Sequence, residues 1–105
     1  MKIGFTGTQQ GMTVYQQSEV RQLLESMRHQ KITAIHHGGC IGADSQFHYV
    51  CHAMMLVTPT IHPASDVGPD KVGIGDYAIV LHAEPALKRN RTIVDSVDVL
   101  IATPA

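Results

Sequence analysis

Ile32-Thr33-Ala34-Ile35-His36-His37-Gly38-Gly39-Cys40-Ile41-Gly42-Ala43-Asp44 is the stretch from which the fold can be worked out. Its first half is rich in β-branched residues and reads as a strand over 32–36. The strand breaks into paired glycines. From Ala43 onward the apolar positions Ala43, Phe47, Val50, Cys51 and Met54 recur at helical spacing until Thr58-Pro59 stops the pattern. A strand, a glycine turn and a helix, in that order, make half of a βα repeat.

The same alternation extends in both directions. Upstream, Lys2-Ile3-Gly4-Phe5-Thr6 reads as a buried strand that ends in a turn at Gly7. Thr13 with Gln16 three places on has the form of a capping box, and Val20, Leu23, Leu24 and Met27 form one apolar stripe, so a helix is predicted over 13–29. Downstream, Thr60-Ile61-His62 reads as a brief third strand, and Pro63 to Gly75 as a Pro/Gly/Asp-rich surface loop whose length points to function or mobility. Tyr77 to His82 fits a short extra strand or a loop packed on the core. Glu84-Pro85 starts a third helix, with Pro at the first helical position, running to about Ser96 with Leu87, Ile93, Val94 and Val97 on its buried side. Asp98 to Pro104 is apolar through its middle, as suits a central parallel strand. Right-handed crossovers turn this pattern into an α/β, Rossmann-like three-layer sandwich, a parallel sheet of about four strands with helices on both faces.

Composition sets the limits. The 105 residues predict a single domain over 1–105, and 44% hydrophobic with 16% charged residues suits a globular chain. Eight Lys+Arg against nine Asp+Glu give a net charge of −1, so no general field draws in nucleic acid or an acidic membrane. No apolar run approaches a bilayer span. Two cysteines, Cys40 and Cys51, and a start without a signal-peptide pattern make a cytoplasmic location the expectation.

In a parallel sheet the ligand crevice lies beyond the carboxyl ends of the strands. Those ends carry two glycine turns, Gly7-Thr8-Gln9-Gln10-Gly11 and Gly38-Gly39-Cys40-Ile41-Gly42, together with His37, His62 and Thr103. Glycine lets backbone approach a ligand, and free N–H groups at the following helix start favour an anion. A turn of this kind also serves simply to join a strand tightly to a helix. Asp44, at the start of the second helix, suits three roles: occupying the anion position itself, capping the helix, or accepting hydrogen bonds from ribose hydroxyls. Lys88, Arg89 and Arg91, around Asn90, are either a phosphate grip or a solvated basic face paired with Glu84 or Asp95. His48 and His52 stand one turn apart, with Asp44 one turn earlier, a spacing compatible with a metal but common without one. No metal or cofactor is assigned, and Cys40 is read as a small thiol rather than a nucleophile.

Taken together, Gly-Thr-Gln-Gln-Gly-Met-Thr (7–13), His-His-Gly-Gly-Cys-Ile-Gly-Ala-Asp (36–44), His62-Pro63 and Arg-Asn-Arg-Thr-Ile-Val-Asp-Ser-Val-Asp-Val-Leu-Ile-Ala-Thr-Pro (89–104) resemble the SLOG superfamily. This Rossmann-like group includes the Lonely Guy phosphoribohydrolases and nucleotide-sensing domains of bacterial conflict systems. The resemblance is greatest to small bacterial and phage members with a His-His-Gly-x-Cys-x-Gly-Ala-Asp loop. It implies an ADP-ribose-like or mononucleotide ligand over the strand ends, with Gly7, Thr8 and Gly11 in the first loop, Gly38, Gly39, Gly42 and Asp44 in the second, and Arg89 before the last strand. Gln9, His37, Cys40, His62, Asn90 and Thr103, at the same strand and helix ends, complete the expected binding set. The resemblance also implies a homo-oligomer, and a role in sensing or sequestering a signal, as in anti-phage defence.

The chain departs from that pattern at Gly39, where relatives carry aspartate, and at Gln9, where they often carry arginine. No Pro-Gly-Gly-x-Gly-Thr-x-x-Glu motif, with its catalytic glutamate, follows Pro104. Binding without catalysis is therefore the leading expectation, and N-glycosidic hydrolysis of a nucleoside 5′-monophosphate the alternative. A metal-binding or structural oligomer is the third. The ending at Ala105 is read either as a fragment or as a short form that must self-associate.

Overall fold

Strands and helices alternate along most of the chain in the computed structural model, which describes residues 1–68, 72–73 and 77–104. The elements are β1 (Lys2–Gly7), α1 (Val14–Met27), β2 (Ala34–His37), α2 (Ala43–Ala53), β3 (Thr60–Ile61), β4 (Ile79–Val80), α3 (Ala86–Asp95) and β5 (Val99–Thr103). All pairings are parallel and the strand order is β4-β3-β2-β1-β5, an α/β fold. The sheet has five strands rather than about four. The additional one is the Ile79–Val80 segment, which pairs with Thr60 and Ile61. The predicted 63–75 loop lies outside the described residues at 69–71 and 74–75.

The strand order follows from the crossovers. The chain steps from β1 outward to β4 and then returns through α3 to the far side of β1. Steps in opposite directions with the same right-handed sense put α1 and α2 on one face of the sheet and α3 on the other. One expectation is corrected here: the apolar segment 98–104 forms an edge strand, not a central one. Its burial alternates, with Ile101 and Thr103 buried and Leu100 and Ala102 exposed, so a single face of it is covered.

The face under α1 and α2 holds the core. Ile3, Phe5, Ile35 and Ile101 meet Val20, Leu24, Met27, Ala43, Phe47, Cys51 and Met54 there. Phe5 and Phe47 stack with ring centroids 4.2 Å apart. The predicted capping box forms: Thr13 Oγ1 accepts from the Gln16 N–H at 3.0 Å, and Gln16 Oε1 accepts from the Thr13 N–H at 2.9 Å. Leu23, placed in the buried stripe by its spacing, is 43% exposed.

On the opposite face α3 turns the line Arg89–Ile93 inward. Leu87 and Val94, expected on its buried side, are 87% and 52% exposed. A single helix on this face leaves part of β1 and β5 uncovered. The segment ahead of α3 is tied to the end of β3, with Glu84 N–H donating to Pro63 O and Ser65 N–H to Glu84 O. No described helix is long and apolar enough to cross a membrane.

Candidate functional site

Arg89 comes from the inward line of α3 and reaches the carboxyl ends of β2 and β3. Its Nη1 donates to Gly38 O at 3.1 Å and to His62 O at 2.9 Å, while Nε donates to Asn90 Oδ1 at 2.8 Å. The guanidinium is buried, yet among the described residues no carboxylate pairs with it. A buried cation whose hydrogen bonds go to neutral acceptors keeps charge to offer an incoming anion, although the Asp44 carboxyl nearby takes up part of it. Lys88 takes the blander role, pairing with Glu84 at 3.4 Å on the surface, and Arg91 is exposed.

Gly38 makes this approach possible. A Cβ on it would stand 2.5 Å from Arg89 Nη1 and 3.0 Å from Asp44 Oδ2, so a side chain here would push the guanidinium out of its place. Asp44, in the first turn of α2, accepts from the Cys40 N–H through Oδ2 at 3.2 Å, and its Oδ1 is buried with no hydrogen-bond partner. Burial pushes its carboxyl up to about 6, against the opposing pull of the Cys40 N–H, the Arg89 charge and the Gly38 backbone.

Between β1, β2 and α3 lies a cleft of about 340 Å³, within the range of small-molecule sites. Of the residues predicted for the site, Gly7, Gln9, Gly38, Cys40, Asp44, Arg89 and Asn90 border it. Thr8, Gly11 and Gly42 stand behind it. Thr8 O accepts from the Gly11 and Ala43 N–H groups, and Gly42, at φ +82°, is so close under Gln9 O that a side chain is excluded. His62 contributes its carbonyl. Gly39 turns toward Ile61, and Thr103 is buried on the α1 side of the sheet with Oγ1 unpartnered.

At the helix starts, the α1 capping box takes up the Gln16 N–H, Thr8 O takes up the Ala43 N–H of α2, and Gly42 gives α2 no side-chain cap. Arg89 adds a side-chain cation on the same side of the sheet. Thr6, Val94 and Leu100, outside the predicted binding set, also wall the cleft. For Thr6 and Leu100 the signal was the two-residue alternation along β1 and β5; Val94 on α3 carried none.

The histidines form two pairs. His36 Nδ1 and His62 Nε2 are 2.8 Å apart on the α3 face. His37 Nε2 and His48 Nδ1 are 2.8 Å apart in the core, and the Gly39 N–H donates to His37 Nδ1. That bond fixes the tautomer, so Nε2 carries the proton and donates to His48. His37, placed at the ligand by its motif, is fully buried beside Phe47, away from the cleft. Burial foremost, with the neighbouring histidines, drives its pKa down to about 3. His52 stacks on Tyr77, so Asp44, His48 and His52 do not converge, and among the described residues no group of three such side chains is placed to hold a metal.

A second cavity of about 200 Å³ lies across the Gly38–Cys40 backbone, walled by Ile61, Pro63, Ala64, Val67, Val72 and Val80. It is apolar where the cleft is polar, and Gly38 and Cys40 border both. Comparison with family models, with curated proteins and with solved structures finds no match for this chain.

Proposed function

We propose that this protein binds a nucleotide-derived small molecule, ADP-ribose-like or a mononucleotide, at the carboxyl ends of its strands. The observation that carries the reading is the buried guanidinium of Arg89, bonded to backbone carbonyls and bordering the polar cleft with Asp44 beside it. The cleft suits a phosphate and sugar, and the apolar cavity beyond Gly38 and Cys40 suits a base. The sequence resemblance to the SLOG superfamily supplies the same ligand class. A binder of this kind acts by sensing a signal or withdrawing it from solution, and self-association fits the exposure of Val94 and Leu100 beside the cleft.

Calorimetric titration with ADP-ribose and AMP tests the reading, with binding of at least one expected. Arg89→Ala should then weaken that binding by ~1.5–3 kcal/mol, the scale of a charge-assisted hydrogen bond. Flat traces for both ligands overturn the proposal, and unchanged affinity in the variant removes Arg89 from the site.

One observation favours a second reading, hydrolysis of the N-glycosidic bond of a nucleoside 5′-monophosphate. Asp44 is a cleft carboxyl with its pKa raised to about 6, in the range used for acid–base work. Release of free adenine from AMP, abolished by Asp44→Asn, would establish catalysis.

A further inference from the structure

Asp44 uses one of its two carboxylate oxygens. Oδ2 holds the Cys40 N–H in the turn ahead of α2, and the Arg89 charge and the Gly38 backbone also act on the carboxyl, but Oδ1 has no hydrogen-bond partner. The side chain is 6% exposed, and a buried acceptor without a donor is rare in folded proteins because it loses its water and gains nothing in return. Asp44 borders the cleft, so a donor group that fills the cleft can reach this carboxyl.

The position of Asp44 narrows the donor it meets. Arg89 Nη1 and Asp44 Oδ2 flank the same glycine, 2.5 and 3.0 Å from where a Gly38 Cβ would stand. A ligand whose anionic group meets Arg89 therefore places its next few atoms beside Asp44. A cationic donor is disfavoured there by the guanidinium. What remains is a neutral donor carried close to an anion, the arrangement found in a sugar phosphate with free hydroxyls.

We infer that Asp44 accepts hydrogen bonds from the sugar hydroxyls of the ligand, so that the site takes ribosyl phosphates and rejects those lacking the hydroxyls. This deepens the functional proposal above and rests on it. The raised pKa of Asp44 agrees, since a donor at Oδ1 supplies what burial has removed.

The test titrates the full chain with AMP, ribose 5-phosphate and 2′,3′-dideoxy-AMP at neutral pH. AMP and ribose 5-phosphate are expected to bind, and the dideoxy compound to bind at least about tenfold more weakly, because a site built around a hydroxyl leaves its acceptor unpaired when the hydroxyl is missing. Asp44→Asn, with folding checked by circular dichroism, is expected to shrink that ratio to within about threefold. Should the variant fail to fold, the ratio measured on the native chain still decides. Equal affinity for AMP and its dideoxy analogue overturns the hydroxyl reading and leaves the anion site standing. No binding by AMP, ribose 5-phosphate or ADP-ribose overturns both.

Discussion

His36 and His37 are neighbours in the chain, yet they lie on opposite faces of the sheet. His37 points into the α1/α2 face, fully buried, with its tautomer set by the Gly39 N–H and its pKa driven down to about 3. His36 points to the α3 face, half-buried, paired with His62, whose carbonyl accepts from Arg89. One face is closed by two helices and packed with aromatic and aliphatic side chains. The other has one helix, a polar cleft and exposed Leu100 and Val94. The contrast puts the packed core on the first face and the candidate site on the second.

If that division is right, truncating the centre of the closed face costs most. Phe47→Ala removes a fully buried ring stacked on Phe5 and is expected to destabilise the chain by ~3–5 kcal/mol in urea unfolding. A loss below about 1 kcal/mol would show that the closed face is not the main source of stability.

Acid is the next largest effect. The folded chain protonates His37 at about 3 and the unfolded chain near 6.5, so between those values the unfolded state binds more protons and stability falls as pH falls. From pH 6.5 to about 5 this amounts to ~2 kcal/mol. His36 and His62, whose pKa values burial also lowers, push the same way. Asp44 opposes them. Its pKa is about 6 folded and 3.8 unfolded, so the folded state gains ~1 kcal/mol as pH drops through 6 to about 5. Urea midpoints at neutral and acid pH should therefore fall on acidification, and fall more steeply in Asp44→Asn. A flat or rising profile in the native chain would contradict a neutral, buried His37.

Leu100→Ala gives the smallest effect. The side chain is 42% exposed on the open face, and its loss is expected to cost under ~1 kcal/mol of stability. A cost comparable to Phe47→Ala would mean that the α3 face is also a packed core.

Much of the fold was legible because it rests on local rules. The 43–54 stripe, the Thr13/Gln16 box and the β-branched 32–36 run each declare an element through residues a few positions apart. The candidate site was legible in outline, since Gly7, Gly38, Asp44 and Arg89 stand at element ends that any parallel sheet gathers on one side. Strand order was not legible. Whether 98–104 lies at the centre or the edge depends on which side of β1 the last crossover takes, and an apolar run reads alike in both cases. Leu87 and Val94 were misplaced for a related reason: the spacing defines a helical stripe, while the neighbouring elements decide which stripe is covered.

Composition, periodicity and turn chemistry thus determined an α/β chain with glycine turns at its strand ends, because each of those signals is carried within one or two turns of backbone. Only the tertiary structure decided that Arg89 borders the cleft while Lys88 and Arg91 stay outside, that His37 pairs with His48 in the core, and that Asp44 holds the Cys40 N–H with one oxygen unmet. Those outcomes depend on groups far apart in the chain, such as Gly38 and Arg89, being packed against each other in a space too small for a Cβ.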